Sequence, residues 1–376
     1  MHTTLSYILN SKMMQFKNLK YRLFIASFLI MLLAPNIVML LGIEKSMTNN
    51  ENTQFETPPK FNFKNIGLTL KNYKSYYLGN YGLKKTFVNQ YLNFKSEILN
   101  ENPLPNKVVI GHDNWYYLGD SYKQVLTNTF ESQYKKRQIL KVVKNIKTLS
   151  EYLKENNIEF YITVAPNKHS IYKEYLPYQL SNSYTFYNQI KKEFEVNNIN
   201  YIDLQQTLLS HKEENKLYHK TDSHWNNLGA FYAYQEVIKT INKTNIIDQV
   251  LLKDYTVSSS IKPVNHLSKM ININKREKVF DLNEKKPSKV DTISSKYDDL
   301  TYYNPNKKLK LLMSRDSFSD AWIPFFNTSF NQTKYIKNYN QISTKLIKDY
   351  KPDIVIYEIV ERNLPYLTKP LLIKHP

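Results

Sequence analysis

The sequence predicts an α/β domain with a mainly parallel central sheet flanked by helices, preceded by one transmembrane helix near the N-terminus. Two observations support this prediction. Short apolar segments typical of strands alternate with segments of helical periodicity along most of the chain, as in βαβ units. Ahead of them, residues 23–43 form an apolar run without a charged side chain. A helix of that length spans the roughly 30 Å hydrocarbon core of a bilayer.

The charges that flank the apolar run predict its orientation. Four bases precede the run, and one acid and one base follow it; they are Lys12, Lys17, Lys20 and Arg22, then Glu44 and Lys45. The positive-inside rule therefore predicts that residues 1–22 are cytoplasmic and that the chain beyond the run is outside. A cleaved signal peptide is the alternative. We expect an uncleaved signal anchor at 23–43, because the run is long and no small-x-small cleavage pattern follows it.

Beyond the anchor, residues 44–104 are predicted to be a linker and a helical lead-in, and residues 105–376 the main domain. Residues 46–65 are polar and contain Pro58 and Pro59, which is typical of a linker. Residues 66–105 carry apolar side chains at mixed spacing and are the expected lead-in.

The elements of the main domain follow from periodicity and from turn residues. They are a strand pair over 107–119 that turns at 111–114, a helix over 134–156, a strand over 158–165, a helix over 182–197, a short strand over 200–203, helices over 204–210 and 225–241, a strand over 308–313, a helix from 317 to about 330, and a last strand over 353–358. Residues 255–300 are polar, lysine-rich and weakly periodic, and predict an insertion or a peripheral loop region. In such sheets the site lies at the carboxyl ends of the strands.

Composition excludes several classes of chemistry. The absence of cysteine excludes disulfides, thiolate metal sites and a cysteine nucleophile. Glycine is scarce at 7 residues, and no dinucleotide or P-loop pattern is present, so we expect no cofactor. The net charge of +19 comes from scattered lysines rather than from a dense patch, so we expect no nucleic-acid partner. This basic balance is compatible with an acidic glycan.

Ser317 is a candidate nucleophile. It stands just after the strand over 308–313, at the start of the next helix, where the hydroxyl is exposed and backbone N–H groups can stabilise an oxyanion. The alternative is that Ser317 only caps the helix, with Asp316 as a second possible cap.

A second segment supplies a candidate base. Asp222 and His224 are two residues apart, so in an extended or turn segment the carboxylate can reach the imidazole Nδ1–H and fix its tautomer. A metal pair or a plain surface motif are the alternatives. No other compact cluster of His, Asp and Glu completes a metal site, so we predict none.

A third polar segment follows the strand over 158–165. Asn167 and Lys168 stand there as possible hydrogen-bond donors to an oxyanion or a substrate. The alternative is a turn with an Asx cap that leads into a helix. His169 is a spare imidazole that could compete for the role of base.

Together these segments resemble the SGNH-like acetyltransferases of alginate O-acetylation and the related DHHW proteins. The matching blocks, in order, are residues 111–118, residues 164–168 with Tyr172 and Leu176-Pro177, residues 218–230, residues 313–319 and residues 352–364. The resemblance covers roughly residues 105–365. As in that family, Asp-x-His precedes the serine in the chain, whereas ordinary SGNH hydrolases have the reverse order.

The resemblance implies an SGNH-hydrolase-like catalytic domain at 105–376, lying outside the cell membrane in the periplasm or at the cell surface. It implies Ser317 as nucleophile, His224 as base and Asp222 as the residue that orients it. An acetyl group would come from a membrane-bound O-acyltransferase partner and pass through an acyl-serine to a hydroxyl of an exported or cell-surface polysaccharide. The candidates for binding the substrate or its oxyanion are Asn167, Lys168, Arg315, Tyr172 and Trp225.

The sequence departs from the family pattern at two places. Ser223 replaces the middle histidine of D-H-H-W and is expected to point away from the triad. Ser314 and Arg315 stand where a small glycine is usual, so Arg315 either clamps an anionic group or marks reduced activity. Two other functions stay open: an esterase that removes acetyl groups from a glycan, and a non-catalytic glycan-binding subunit of an acetylation complex.

Overall fold

The computed structural model describes residues 2–43, 57–122, 124–127, 130, 136–180, 185–264, 266–296, 298–337 and 341–373. Much of the predicted linker over 46–65 lies outside the described residues, as do residues 182–184 of one predicted helix. The chain divides into two compact units, Met1–Glu101 and Asn102–Pro376.

The first unit contains one long apolar helix and two shorter helices. Helix α1 (His2–Leu41) includes a span, Leu19–Leu41, of 23 residues with mean hydropathy 2.4, of which 6% is buried. The helix ends where Gly42 takes a left-handed φ of 65°, a conformation that glycine adopts without strain. This helix fits a single-pass membrane anchor, with bounds shifted slightly from the predicted 23–43. The predicted helical lead-in forms α2 (Ile66–Asn80) and α3 (Lys84–Asn93), which continues as a π-helical turn, Phe94–Ile98.

The second unit is built on a seven-stranded mixed sheet, which confirms the predicted α/β class. Its strands are β3 (Glu159–Ala165), β4 (Tyr201–Ile202), β7 (Asp291–Lys296), β8 (Asp299–Tyr303), β9 (Lys310–Ser314), β10 (Gln332–Ile336) and β12 (Ile354–Val360), in the order β4-β3-β12-β9-β10-β8-β7. The five strands from β4 to β10 are parallel, and β8 and β7 add to them antiparallel.

Shorter strands form three pairs outside the central sheet. The pairs are β1 (Val108–Ile110) with β2 (Tyr116–Leu118), β5 (Tyr255–Pro263) with β6 (Arg276–Glu284), and β11 (Ile342–Ser343) with β13 (Leu372–Ile373). The first pair is the hairpin predicted over 107–119. The last pair corrects the expectation that β12 is the final strand.

Helices cover both faces of the sheet. They are α4 (Lys136–Glu155), α5 (Lys168–Ile171), α6 (Phe186–Val196), α7 (Leu204–His211), α8 (Asn227–Ile241), α10 (Ile323–Ser329) and α11 (Thr344–Tyr350). A further short helix, α9 (His266–Met270), packs instead on the hairpin of β1 and β2. Two 3₁₀ segments, Ser317–Trp322 and Glu361–Thr368, follow β9 and β12.

Alternate residues of the central strands point to opposite faces and form two separate cores. In β3, Phe160, Ile162 and Val164 belong to the core that contains the apolar faces of α4 and α6. Tyr161 and Ala165 belong to the other core, with α7, α8 and α10. Because both faces are covered, the central strands read as nearly continuous apolar runs, and this is why they could be predicted from the sequence.

One of the two expectations for residues 255–300, a peripheral loop region, was wrong. Instead of a loop region, this stretch forms the β5–β6 hairpin, α9, and β7 and β8, which extend the central sheet. The burial pattern explains the error. In β5, every residue after the first is at least partly exposed, so its side chains carry no apolar alternation.

Candidate active site

The candidate site lies where three adjacent parallel strands end. Strands β3, β12 and β9 are neighbours, so their carboxyl ends open at the same edge of the sheet. Asn167 follows β3, Glu361 follows β12 and Ser317 follows β9. Residues far apart in the chain are thereby brought to one place.

A tight turn over 218–226 presents Asp222 and His224 to this edge. Tyr218 and Trp225 pair as an antiparallel bridge at its base. Inside the turn, Asp222 Oδ1 accepts the backbone N–H of His224 at 3.0 Å and lies 2.6 Å from His224 Nδ1. A single carboxylate oxygen therefore holds both the backbone and the ring of His224.

The other ring nitrogen of His224 faces the serine. His224 Nε2 lies 2.8 Å from Ser317 Oγ, although the two residues are 93 positions apart in the chain. Trp225 helps to fix this approach, because its Nε1–H donates to the carbonyl of Phe318 at 2.9 Å. The structure thus brings Ser317, His224 and Asp222 into one hydrogen-bonded chain, with the spacing that a serine nucleophile, a base and an orienting carboxylate require.

The carboxylate of this chain is held in its charged form. Burial works against ionisation of Asp222, but the hydrogen bond from His224 and the nearby imidazoles outweigh it and hold the pKa of Asp222 well below its usual value. The side chains of His224 and Asp222 are 24% and 17% exposed. A small reactant can therefore reach the ring from solvent.

A buried carboxyl group supports the serine turn from beneath. Asp316, rather than Ser317, is the cap, since its Oδ1 accepts the N–H of Phe318 at 2.8 Å. Glu358 Oε2 in turn accepts the N–H of Asp316 and the hydroxyl of Ser319, both at 2.8 Å. Burial and the neighbouring Asp316 raise the pKa of Glu358 well above its usual value. The serine hydroxyl is therefore not used as a cap and is available to His224.

Lys168 lies at the site but does not face a substrate. Its side chain is buried, and its ammonium donates to the carbonyls of His219 at 2.9 Å, Lys220 at 3.1 Å and Asp222 at 2.6 Å. Burial lowers the pKa of Lys168 to about 7, against the opposing charges of Asp222 and Glu277. The expectation that Lys168 binds an oxyanion is corrected: it clamps the 218–226 turn.

We expect Lys168→Met to destabilise the protein by about 3 kcal/mol, because three carbonyl groups lose their charged donor in a buried setting. Loosening of the turn should also slow any reaction that depends on His224. Urea unfolding of the purified full chain measures the first effect. Lys173→Met, at an exposed position, is the matched control. Equal unfolding midpoints for the two variants would contradict the clamp.

Three other candidates are buried in structural contacts. The hydroxyl of Tyr172 accepts the N–H of Leu217 at 2.9 Å, and Trp225 packs between Phe318 and Trp322. Arg315 is fully buried, where it pairs with Asp320 and lies over the ring of Tyr335. None of the three side chains is placed to touch a bound substrate, so the expectation that Arg315 clamps an anion is also corrected.

Asn167 is held at the strand end by residues that follow β12. Its Oδ1 accepts from Arg362 Nη1 at 3.2 Å, and its backbone N–H donates to Glu361 Oε2 at 2.8 Å. The Arg362 guanidinium lies 5.5 Å from the ring centre of Phe318, the residue after the serine. Arg362 therefore links Asn167 to the serine turn. Because Oδ1 of Asn167 accepts from Arg362, the NH₂ group at the other end of the Asn167 amide is the end that can donate.

Glu361 is a buried carboxyl that also accepts from Ser170 Oγ, at 2.6 Å. Burial raises its pKa from 4.5 to about 7, although these hydrogen bonds and Arg362 oppose the shift. Because the folded protein holds the Glu361 proton more tightly than the unfolded chain does, protonated Glu361 stabilises the fold at pH values below 4.5. This stabilisation is lost as the pH rises from 4.5 to about 7. The loss amounts to roughly 3 kcal/mol.

We therefore expect Glu361→Gln to remove this part of the pH dependence. The free energy of unfolding of the unmodified chain, minus that of the variant, should fall between pH 5 and pH 8. The exposed Glu155→Gln should leave the pH profile unchanged. Urea unfolding at several pH values is the measurement. A flat difference curve for Glu361→Gln would show that this carboxyl ionises normally in the fold.

His266 is a neighbour that the sequence interpretation missed. Its Nδ1 lies 3.7 Å from Asp222 Oδ1 and 3.3 Å from Ser223 Oγ. Burial lowers the pKa of His266, against the charge of Asp222. Ser223 was expected to point away from the triad, and its hydroxyl contacts His266, which is not a member of the triad. With Pro263, Lys269 and Met270, His266 lines an open cleft of about 540 Å³.

The described residues place three potential metal ligands together, which the sequence had not predicted. Ligand atoms of Asp222, His224 and His266 lie within 4.8 Å of one another. Asp222 Oδ1 and His224 Nδ1 are only 2.6 Å apart. That is closer than two atoms bound to one zinc ion at about 2.1 Å in tetrahedral geometry would be. An ion bound by both of these atoms would have to break the hydrogen bond between them. The expectation that the protein holds no metal stays a prediction.

Four residues that build the site were not singled out from the sequence: His266, Glu358, Glu361 and Arg362. A signal was present for one of them, because Glu358 interrupts an apolar strand that is buried throughout. Buried charged residues in such a strand need specific partners. His266 lay in the stretch read as a loop, so nothing local pointed to it.

Comparison with known families decides the relationship. The family described as the SGNH hydrolase-like domain of acetyltransferase AlgX matches residues 108–323, more than half of the chain. The chain belongs to this family. The resemblance drawn from the sequence is thereby confirmed, and so is the SGNH-like fold.

The individual proteins that this chain is similar to are distant from it in sequence. A probable alginate O-acetylase, AlgJ of Pseudomonas putida, is 22% identical over 186 residues, which are 48% of this chain and 46% of that protein. The chain thus matches about half the length of this curated relative. Bacillus cereus PatB1 with a sulfonyl adduct has a similar structure, with a TM-score of 0.56 and 22% identity over 71% of this chain and 99% of that chain. A second PatB1 structure has a TM-score of 0.52, 21% identity and coverages of 68% and 96%.

Proposed function

We propose that this chain is an O-acetyltransferase that moves an acetyl group through Ser317 onto a hydroxyl of a polysaccharide. The observation that carries the proposal is the hydrogen-bonded chain from Asp222 through His224 to Ser317 at the carboxyl edge of the sheet. Membership in an acetyltransferase family supports the choice of reaction. We propose Ser317 as nucleophile, His224 as general base and Asp222 as the group that orients it.

In the first half-reaction, Ser317 Oγ attacks the carbonyl carbon of an acetyl donor while His224 Nε2 takes its proton. Asp222, which is kept ionised, stabilises the imidazolium that forms. The tetrahedral intermediate collapses when the bond to the donor's oxygen breaks, and His224 gives its proton to that leaving group. The product is an acetyl ester on Ser317.

In the second half-reaction, a sugar hydroxyl attacks the acetyl-serine while His224 takes the proton of that hydroxyl. The bond between the acetyl carbon and Ser317 Oγ breaks, and the proton returns to the serine. Asn167 is the proposed side-chain donor to the oxyanion, since Arg362 fixes its amide by holding the Oδ1 end. The backbone N–H of Ser317 is the second proposed donor.

We propose that the acceptor is an exported or cell-surface polysaccharide and that the domain works outside the membrane. The alginate O-acetylase named among the relatives supports a polysaccharide acceptor. The orientation rests on the basic residues before the apolar span, and the donor we propose is a membrane-bound O-acyltransferase. The cleft is lined by His266, whose Nδ1 lies 3.7 Å from Asp222 Oδ1, and we propose it as the approach for the acceptor.

An esterase is the second candidate, and the exposure of the site favours it. The side chain of His224 is 24% exposed, so water can reach the imidazole that would activate it for attack on an acetyl-serine. Transfer requires that the acceptor displace this water. The two activities therefore share the first half-reaction and differ only in what takes the acetyl group.

The test is mass spectrometry of the protein after incubation with an activated acetyl ester, with and without an acidic glycan oligomer. Acetyl on Ser317 that moves to the oligomer supports transfer, whereas acetyl released only to water supports the esterase. A sulfonyl fluoride should also modify Ser317, since Oγ forms the bond to sulfur and fluoride leaves. A folded protein that gives neither adduct would favour a non-catalytic glycan-binding subunit.

A further inference from the structure

Two apolar stripes run along residues 57–101, which comprise the end of the predicted linker and the helical lead-in and are together called the lead-in from here on. In each stripe, apolar or aromatic residues recur at spacings of four, three and four, which places them on one helical face. The stripes are Ile66, Leu70, Tyr73 and Tyr77 in α2, and Phe87, Tyr91, Phe94 and Ile98 in α3 with its π-helical extension. These eight side chains are between 38% and 67% exposed. Exposure of such stripes to water is unfavourable in free energy, so exposed apolar stripes of this kind indicate an interaction surface.

The lead-in also packs directly on the apolar span of α1. The Tyr77 hydroxyl donates to Asn36 Oδ1 at 2.9 Å. Gly82 lies so close that a Cβ there would be 2.2 Å from the Pro35 carbonyl oxygen and 2.8 Å from the Met39 nitrogen. Pro35 is buried, whereas only 6% of the span is buried as a whole.

These contacts define a depth in the bilayer. Pro35 and Met39 precede Leu41, the end of the span, by six and two residues, which correspond to about 9 and 3 Å along a helix. Helices that lie in the membrane interface are buried by about 5–10 Å into the boundary between head groups and acyl chains. The turn between α2 and α3 thus meets α1 at the depth of the interface.

The net positive charge of the lead-in indicates that it would bind a surface of anionic lipid head groups. Between residues 57 and 101 the acids are Glu97 and Glu101, and the bases are Lys60, Lys64, Lys71, Lys74, Lys84, Lys85 and Lys95. Lysines beside an apolar face attract anionic head groups. Tyr and Phe are suited to the same boundary, since they place rings at head-group level.

We propose that α2 and α3 lie in the membrane interface at the Leu41 end of the span, with both apolar stripes in the acyl-chain boundary and the lysines at anionic head groups. The occupant of the stripes is phospholipid rather than another protein. This inference does not depend on the proposed acyl transfer.

The absence of cysteine from the chain allows a direct test. The single substitutions Leu70→Cys and Phe87→Cys report on the stripes, and Ser75→Cys and Lys85→Cys report on the opposite faces of the same helices. Each full-length variant is labelled with an environment-sensitive fluorophore and reconstituted into vesicles of phosphatidylcholine and phosphatidylglycerol. Quenching by lipid-attached nitroxide and by aqueous iodide is then compared.

We expect the labels at Leu70 and Phe87 to be quenched several-fold more by the nitroxide, and several-fold less by iodide, than those at Ser75 and Lys85. The contrast should weaken in vesicles of phosphatidylcholine alone. Equal access of iodide to all four labels would overturn the proposal. Labels at Leu70 and Phe87 that are shielded in native membranes but open to iodide in vesicles would also overturn it, because a protein partner would then cover the stripes.

Discussion

Replacing Ser317 by alanine is expected to reduce acetyl transfer by about 10⁴-fold or more while leaving the fold intact. The loss is large because the proposed nucleophile has no substitute, and only binding and oxyanion contacts remain to assist the reaction. The fold should survive because Asp316, not Ser317, caps the turn. We expect a change in the free energy of unfolding of less than about 1 kcal/mol.

The rate of acetyl release from an activated ester and the urea midpoint measure these two expectations on the same preparation. Ser258→Ala, at an exposed position of β5, is the matched control and should behave as the unmodified chain. A Ser317→Ala protein that keeps its rate would remove Ser317 from the mechanism. A protein that loses both its rate and its fold would instead make Ser317 a structural residue.

Asp222→Asn is the second large expected effect, at about 10⁴-fold in the same assay. The amide carries no negative charge, so it cannot stabilise the imidazolium that forms when His224 Nε2, which lies 2.8 Å from Ser317 Oγ, takes the serine proton. If the amide also turns its NH₂ towards His224 Nδ1, the ring carries its proton on Nε2 and cannot accept the serine proton. The Lys168 clamp on the Asp222 carbonyl is made by the backbone and should persist.

The catalytic role of the Asp222 carboxylate and the structural role of the Asp222 backbone carbonyl can be measured separately. The pH–rate profile of Asp222→Asn should change shape relative to the unmodified chain, whereas its unfolding midpoint should shift far less than that of Lys168→Met. Asp113→Asn, an exposed change of the same chemistry, controls for the substitution itself. Full activity of Asp222→Asn would mean that the tautomer of His224 is held by another group.

The predictability of the site depended on the distance in the chain between its members. Asp222 and His224 are two residues apart, so local turn geometry alone implies their contact, and the hydrogen bond at 2.6 Å lies within that turn. Ser317 is 93 positions from His224, and its pairing was suggested only by the order of blocks in a resembling family. Motifs of neighbouring residues are accessible from the sequence because backbone geometry relates them.

The candidate substrate residues show the opposite case. Lys168, Arg315, Tyr172 and Trp225 have the side chains that a substrate site uses, and their positions next to the motifs made them candidates. The fold instead turns each of them into the interior, where it contacts backbone groups or side chains of the protein itself. Whether a polar side chain faces a ligand or its own backbone depends on elements that meet from distant parts of the chain.

The sequence by itself determined the apolar span, the alternation of buried strands and amphipathic helices, and the Asp-x-His turn. Each of these is a local pattern of burial or backbone geometry that recurs within a few residues. Only the tertiary structure decided that β7 and β8 extend the sheet, that Glu358 and Glu361 lie buried beneath the site, and that His266 stands beside Asp222. These features arise from contacts between segments far apart in the chain, which no local pattern records.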